Sequence, residues 1–156
     1  MPKTIFVCLL CSLLSVPILA GSKAHAALIV NADSGKCLDV KFANTANRTP
    51  IRFVPCTASF SQQWKWEGLF LKGIGTSEPG VSKCLDVLGA GTADGTLVQL
   101  FQCNGSGAQQ WQFTNGRLVN LHSGKCLDIG DGGFSTQATI RFCNFASPSQ
   151  KFALRS

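Results

Sequence analysis

Beyond residue 27 the chain alternates short apolar runs with clusters of Gly, Ser, Asn, Asp and Pro, and the period inside each run is two. LIV at 28–30, CLDV at 37–40, TLVQLFQC at 96–103 and QQWQF at 109–113 are rich in β-branched, aromatic and leucine residues. Runs of that length and alternation predict half-buried strands bounded by turns. No window of about 11 residues carries helical spacing beyond residue 27, so the expected class is all-β.

The same letters return at regular intervals. SGKCLDV at 34–40 reappears as VSKCLDV at 81–87 and SGKCLDI at 123–129, and LIVNADSGKCLDV at 28–40 lies over RLVNLHSGKCLDI at 117–129. Downstream, SQQWKW at 61–66, AQQWQF at 108–113 and SQKFAL at 149–154 form a second register mark. Three copies of one unit follow, with boundaries near 27–67, 68–115 and 116–156 and four short strands in each. No such unit buries its own apolar face, so the three must close on one another.

The first 26 residues read differently. Lys3 precedes an apolar run from Ile5 to Ala20, and Ala24, His25 and Ala26 supply a processing site, the pattern of a secretory signal peptide; cleavage after Ala20 is the alternative. Its removal leaves a single domain of residues 27–156 with no membrane span, destined for the extracellular space, or for the periplasm in a bacterium. It also leaves six cysteines, Cys37, Cys56, Cys84, Cys103, Cys126 and Cys143, an even number that suits a disulfide framework in an exported chain. Although six cysteines leave many pairings open, spacings of 19, 19 and 17 make one bond within each repeat the simplest. A zinc site is disfavoured, because no C-x-x-C pair occurs and His122 is the one histidine left.

Charge excludes more than it suggests. Without the leader, 12 basic and 8 acidic residues remain, scattered singly. No basic stripe interleaves with aromatics, which argues against nucleic acid as a partner. Glycoside hydrolysis would require two carboxyl groups roughly 5 to 9.5 Å apart. The repeated aspartates belong to different repeats, and G-x-S-x-G and phosphate-binding glycine motifs are absent, so neither an enzyme nor a cofactor is expected.

C-L-D, a cysteine 17 to 19 residues later and then Q-x-W or its variant, three times in register, resembles the ricin-type β-trefoil lectin family over the whole of residues 27–156. The resemblance implies a β-trefoil: a six-stranded barrel capped by three hairpins, with one potential sugar pocket per repeat. It also implies that Trp64, Trp111 and Phe152 pack in the core. Glycans are the implied partners, and a second secreted subunit is the alternative, since such trefoils resemble the delivery subunits of multipart toxins. A third reading is an inhibitor-like scaffold presenting the long segment 72–83.

The candidate sugar contacts are Asp39, Asp86 and Asp128, because an ionised carboxylate at a strand end accepts hydrogen bonds from vicinal hydroxyls. Counting thirteen residues on from each reaches Arg52, Gln99 and Arg141. In the middle repeat Gln99 and Phe101 are expected to share a face with Asp86, Phe101 as a platform for a sugar's C–H face, with Gln109 as a further amide and Asn104 on the rim. The first repeat has Val54 in place of that ring. In the third, the shorter spacing is read as two residues missing after the strand, which puts Cys143 in the position of Phe101 and leaves Phe145 as a substitute platform. The middle site is therefore expected to be the best formed. Galactose binders of the family usually carry asparagine before the glutamine of Q-x-W, whereas this chain has Ser61, Ala108 and Ser149. Asn47 and Asn104 head N-x-S/T sequons, and a glycan on Asn104 would crowd the middle pocket.

Overall fold

A computed structural model describes residues 26–73, 81–130 and 137–156; all but the last residue of the proposed leader and most of the segment 72–83 lie outside them. The described residues hold twelve strands, four from each repeat. They are β1 (Ala27–Asn31), β2 (Cys37–Val40), β3 (Thr49–Val54), β4 (Gln63–Glu67), β5 (Phe70–Gly73), β6 (Lys83–Val87), β7 (Thr96–Gln102), β8 (Trp111–Thr114), β9 (Arg117–Asn120), β10 (Lys125–Asp128), β11 (Thr139–Arg141) and β12 (Phe152–Arg155).

Their pairings close in two tiers. β1 pairs with β4 and β12, β4 with β5, and β8 with β9. A bridge from Phe70 to Gln110 joins β5 to the start of β8, and Phe152 donates to the Gly116 carbonyl beside β9, completing a ring of six strands. The hairpins β2–β3, β6–β7 and β10–β11 form the cap. They meet through β3–β7, β7–β11 and an Arg52–Gln137 bridge. Around the centre of the cap, the Ala138 amide donates to the Ile51 carbonyl and the Val98 amide to the Ala138 carbonyl, both at 2.8 Å. This is the β-trefoil that the family resemblance implies.

The core consists of the inward positions of all three repeats. Leu38, Leu85 and Leu127 are buried with Phe53, Leu100 and Ile140 opposite them, and Trp64, Trp111 and Phe152 fill the interior between. Phe53 stacks on Phe152 with centroids 5.6 Å apart. Both tryptophans also donate from Nε1 to a strand carbonyl, Trp64 to Leu38 at 3.1 Å and Trp111 to Leu85 at 3.0 Å, so each ring is fixed by packing and by one directional bond. The expected disulfides are formed, Cys37–Cys56, Cys84–Cys103 and Cys126–Cys143, one within each lobe.

The repeated N-x-x-S-G-K segment is a turn with a buried anchor. Asn31 accepts from the Ser34 amide and hydroxyl, and its Nδ2 donates to the Pro148 and Lys151 carbonyls of the third lobe. Asn120 repeats this with Ser123, and its Nδ2 donates to carbonyls of residues 107, 108 and 110 in the second lobe. Gly35 and Gly124 sit at φ of 68° and 66°, where a side chain would strain the backbone. One repeated motif thus ties neighbouring lobes together.

The glutamine of Q-x-W ties each lobe to itself. Gln62, Gln109 and Gln150 are buried, and each Nε2 donates to the carbonyl of the residue before the lobe's second cysteine: Pro55, Gln102 and Phe142. Each Oε1 accepts from the amide just after it, at Thr57, Asn104 and Asn144, all at 2.8 Å. Replacing a glutamine takes the partner from a part-buried backbone amide and a part-buried backbone carbonyl, each costing at most about 1–3 kcal/mol. Gln62→Leu, at the lobe whose glutamine does not touch its aspartate, is expected to lower stability by about 1–3 kcal/mol in urea unfolding with an unchanged m-value.

Candidate functional site

Each lobe carries its aspartate on the first strand of the cap hairpin, opposite a residue of the returning strand. Asp39 faces Arg52 and Asp86 faces Gln99, as counting from the aspartate predicts. The third lobe departs from that count. Asp128 faces Thr139, and Arg141 pairs with Cys126, the register that Phe101 holds opposite Cys84 and Val54 opposite Cys37. The two missing residues therefore lie in the connection before β11, outside the strand, and Cys143 does not stand where Phe101 does. The residue two before the second cysteine of each lobe, Val54, Phe101 or Arg141, always faces the first cysteine. Counting back from the crosslink would have found this register, because the disulfide fixes the end of the hairpin while the loop is free to shorten.

All three carboxylates are buried and held by internal donors, but by different ones. Asp39 takes Arg52 Nε on Oδ1 at 2.9 Å and the Ser61 hydroxyl on Oδ2 at 2.8 Å. Asp128 takes the Gly130 amide on one oxygen, and the Ser149 hydroxyl and Gln150 Nε2 on the other. Asp86 takes only amides, Gln99 Nε2 at 2.7 Å and Gln109 Nε2 at 3.0 Å. Ala108 stands where the other lobes place a serine on the carboxylate, so no hydroxyl reaches Asp86. Burial pushes the Asp86 carboxyl above its ordinary value, against the two amide bonds, which favour the ionised form.

A cavity opens beside each carboxylate. The middle one, about 280 Å³, is lined by Asp86, Gln99, Phe101, Asn104 and Ala108, with Gly89 on one wall and Arg48 entering from the first lobe. Gln109 is fully buried and lies behind Asp86, outside the lining. Asn104 Oδ1 accepts from the Ser106 amide, which holds the rim loop. The first cavity, about 420 Å³, is lined by Asp39, Arg52, Val54 and a run of hydroxyls. It has an aromatic wall that strand alternation did not reveal: Phe42, with Arg52 Cζ 4.9 Å and Lys41 Nζ 5.4 Å from its ring centre.

The third cavity, about 490 Å³, is the largest of the three and the most acidic, with Asp33, Asp94 and Asp128 beside Arg141. Phe142 lines it; Phe145 is turned away to cover Arg117, whose Cζ lies 5.1 Å from the ring. Asp94 binds Lys125 there, and that bond holds its carboxyl below the ordinary value. Among the described residues no group of three or more His, Cys, Asp or Glu side chains is placed to hold a metal.

Two residues that line the cavities were hidden in the sequence because the internal alignment seats them over glycines. Phe42 aligns with Gly89 and Arg48 with Gly95; all four have positive φ, 57° and 61° for the first pair, 69° and 83° for the second. A glycine adopts that conformation freely, whereas a phenylalanine or arginine pays steric strain for it. The signal was a bulky residue in a turn position that the next repeat gives to glycine.

A family model for the ricin-type beta-trefoil lectin domain matches residues 25–152. Comparison with curated proteins gave no match. Among solved structures, the designed 3-fold symmetric protein ThreeFoil is 27% identical with a TM-score of 0.71, over 84% of this chain and 98% of its own. An exo-beta-1,3-galactanase from Clostridium thermocellum is 26% identical with a TM-score of 0.67, over 83% of this chain. The agglutinin from Abrus precatorius shares the fold at 21% identity and a TM-score of 0.73, over 90% of this chain. The matched part is 30% of the galactanase chain and 51% of the agglutinin chain. With three C-L-D hairpins, three buried Q-x-W glutamines and a match over most of its length, the chain belongs to the ricin-type beta-trefoil lectin domain family.

Proposed function

We propose that this chain is an exported carbohydrate-binding protein whose principal sugar contact is the middle cavity. The observation that carries the proposal is the state of Asp86. It lines a small cavity, accepts two amide bonds and keeps unused lone pairs, and among the described residues neither a cation nor a hydroxyl is bonded to it. A sugar hydroxyl is the donor that such a group lacks. The Phe101 ring on the same wall supplies an apolar surface for a pyranose C–H face, and Asn104 stands at the rim. Gln99 and Gln109 act as positioning residues, since their amides orient the carboxylate.

The same features favour binding over catalysis. Each of the three repeated aspartates is fixed by donors of its own lobe and pairs with no second carboxylate across its hairpin; where Asp33 and Asp94 share the third cavity with Asp128, Lys125 holds Asp94. Export accords with the three crosslinks, which persist in oxidising compartments. The printed names of similar structures, an agglutinin and a galactanase among them, are consistent with a glycan ligand. A pocket of this size holds a monosaccharide with a Kd on the order of millimolar, so retention on a surface relies on several contacts at once.

A glycan array probed with the disulfide-intact protein tests the proposal, with titration calorimetry on the best ligand. Phe101→Ala, at a partly exposed position, is expected to weaken binding about tenfold while leaving the fold intact, the size of one lost stacking contact. Failure of every glycan to bind a well-folded protein would remove the proposal and turn attention to a protein partner, the docking-subunit reading.

Affinity should also respond to pH. Ionised Asp86 accepts from the sugar and its protonated form accepts less well, so binding is expected to fall as pH drops through the raised Asp86 value, before ordinary carboxylates titrate. Folding responds with the opposite sign. A raised folded-state value means that protonating Asp86 stabilises the native state, so stability measured in parallel should not fall over the same window on its account.

A further inference from the structure

We infer that the first-lobe cavity is selective for a sugar bearing a carboxylate, a hexuronic acid, held by Arg52 against the Phe42 wall, with Lys41 beside that ring adding to the positive field. The inference rests on the lectin reading above, but on a different lobe and different residues. Its basis is the balance of donors and acceptors.

In this lobe Asp39 is already satisfied. Arg52 neutralises it on one oxygen, and the other ends a chain of hydroxyls. Ser61 donates to Asp39, so the Ser59–Ser61 contact at 3.0 Å has Ser59 donating, and Thr57 donates to Ser59 at 3.1 Å. The hydroxyl protons of all three residues therefore point along the chain towards the carboxylate, and none is left for a ligand. What the cavity still offers is on the cationic side. Arg52 spends Nε on Asp39, and among the described residues no hydrogen bond engages its terminal nitrogens. Its side chain remains about a quarter exposed, and Lys41, exposed and outside the cavity lining, also lies over the Phe42 ring. Two unshared guanidinium nitrogens form a planar fork, which fits a carboxylate better than a lone hydroxyl.

Phe42 is the positioning residue. Its backbone occupies a conformation that the middle lobe gives to Gly89, its ring is largely exposed, and the guanidinium lies against it. A strained, exposed aromatic ring is not explained by core packing; holding Arg52 over the cavity explains it. The other lobes do not share the arrangement. The middle cavity also has a cation on its wall, Arg48, but there Asp86 is held by neutral amides and, among the described residues, is not neutralised by an ion pair; the third is lined by Asp33, Asp94 and Asp128, which repel an anion. An acidic glycan therefore meets the most favourable field in the first lobe, where Asp39 is the only lining carboxylate and is paired.

Amide-resolved NMR titration of the whole disulfide-intact chain with methyl β-glucuronide and, separately, methyl β-glucoside tests this. The glucuronide is expected to shift the Phe42, Ala43, Arg52 and Ser59 amides with a Kd about three- to fivefold lower than the glucoside, an advantage of the size of one partly exposed ion pair. Raising the salt concentration should erode that advantage. Lys41→Gln, at an exposed position, should roughly halve it, and Arg52→Gln should abolish it. Phe42→Leu keeps an apolar wall and the charge, yet should weaken the glucuronide alone. Equal responses to the two glycosides, or shifts that avoid the first lobe, would overturn the inference. The same spectra report Gln99 and Phe101. If these respond to a sugar while the first lobe stays silent, the middle-lobe proposal stands and this one fails; if only the first lobe responds, the reverse holds.

Discussion

Three buried glutamine amides hold this molecule in shape. Each bonds the backbone on both sides of a cysteine, so that the end of the cap hairpin, the crosslink and the start of the last strand of the lobe become one rigid unit. Fully satisfied buried polar groups are demanding, since one missing partner costs more than the whole bond contributes. The apolar core alone would accept many arrangements of Leu, Phe and Trp. The amides accept one, and the cavities owe their positions to it.

On that common frame the three lobes surround their aspartates differently, above all through the residue before the glutamine and the residue opposite the aspartate. Where the residue before the glutamine is serine, a hydroxyl reaches the aspartate; where it is Ala108, the carboxylate relies on amides. Where the residue opposite the aspartate is arginine, an ion pair forms; where it is glutamine or threonine, none does. The backbone is nearly invariant while the electrostatics of the cavity change from lobe to lobe. The fold therefore offers three chemically distinct surfaces at a fixed separation.

Much of this was legible in the sequence because it repeats. The period-two runs, the recurrence of C-L-D and Q-x-W and the cysteine spacings all report the inward face and the crosslinks, which packing and covalent geometry constrain tightly. The third-lobe register was misread since a two-residue gap leaves the alternation of T-I-R-F in the same phase, so periodicity alone does not tell whether Ile140 or Phe142 stands opposite Leu127. The crosslink decides for Ile140 and leaves Phe142 largely exposed. Gln109 looked like a sugar contact because an amide's partners cannot be read from its type, and the structure spends it on the backbone and on Asp86. Arg48 and Phe42 were missed because a cavity wall can come from a turn, or from the neighbouring lobe, which strand alternation does not describe.

The pairing of β1 with β12, from Leu28 opposite Arg155 to Asn31 opposite Phe152, makes the two ends of the domain neighbours. The barrel is thus a ring whose clasp is the meeting of its first and last strands. The four residue pairs of that clasp match the four of β4–β5 and the four of β8–β9, so the order in which the lobes follow one another along the chain is a matter of where the ring happens to be cut. Joining the ends and opening the tight turn between β4 and β5 would give a circularly permuted chain with the same barrel, cap and cavities. A lobe's binding character belongs to its own residues and its neighbour's, and travels with them around the ring.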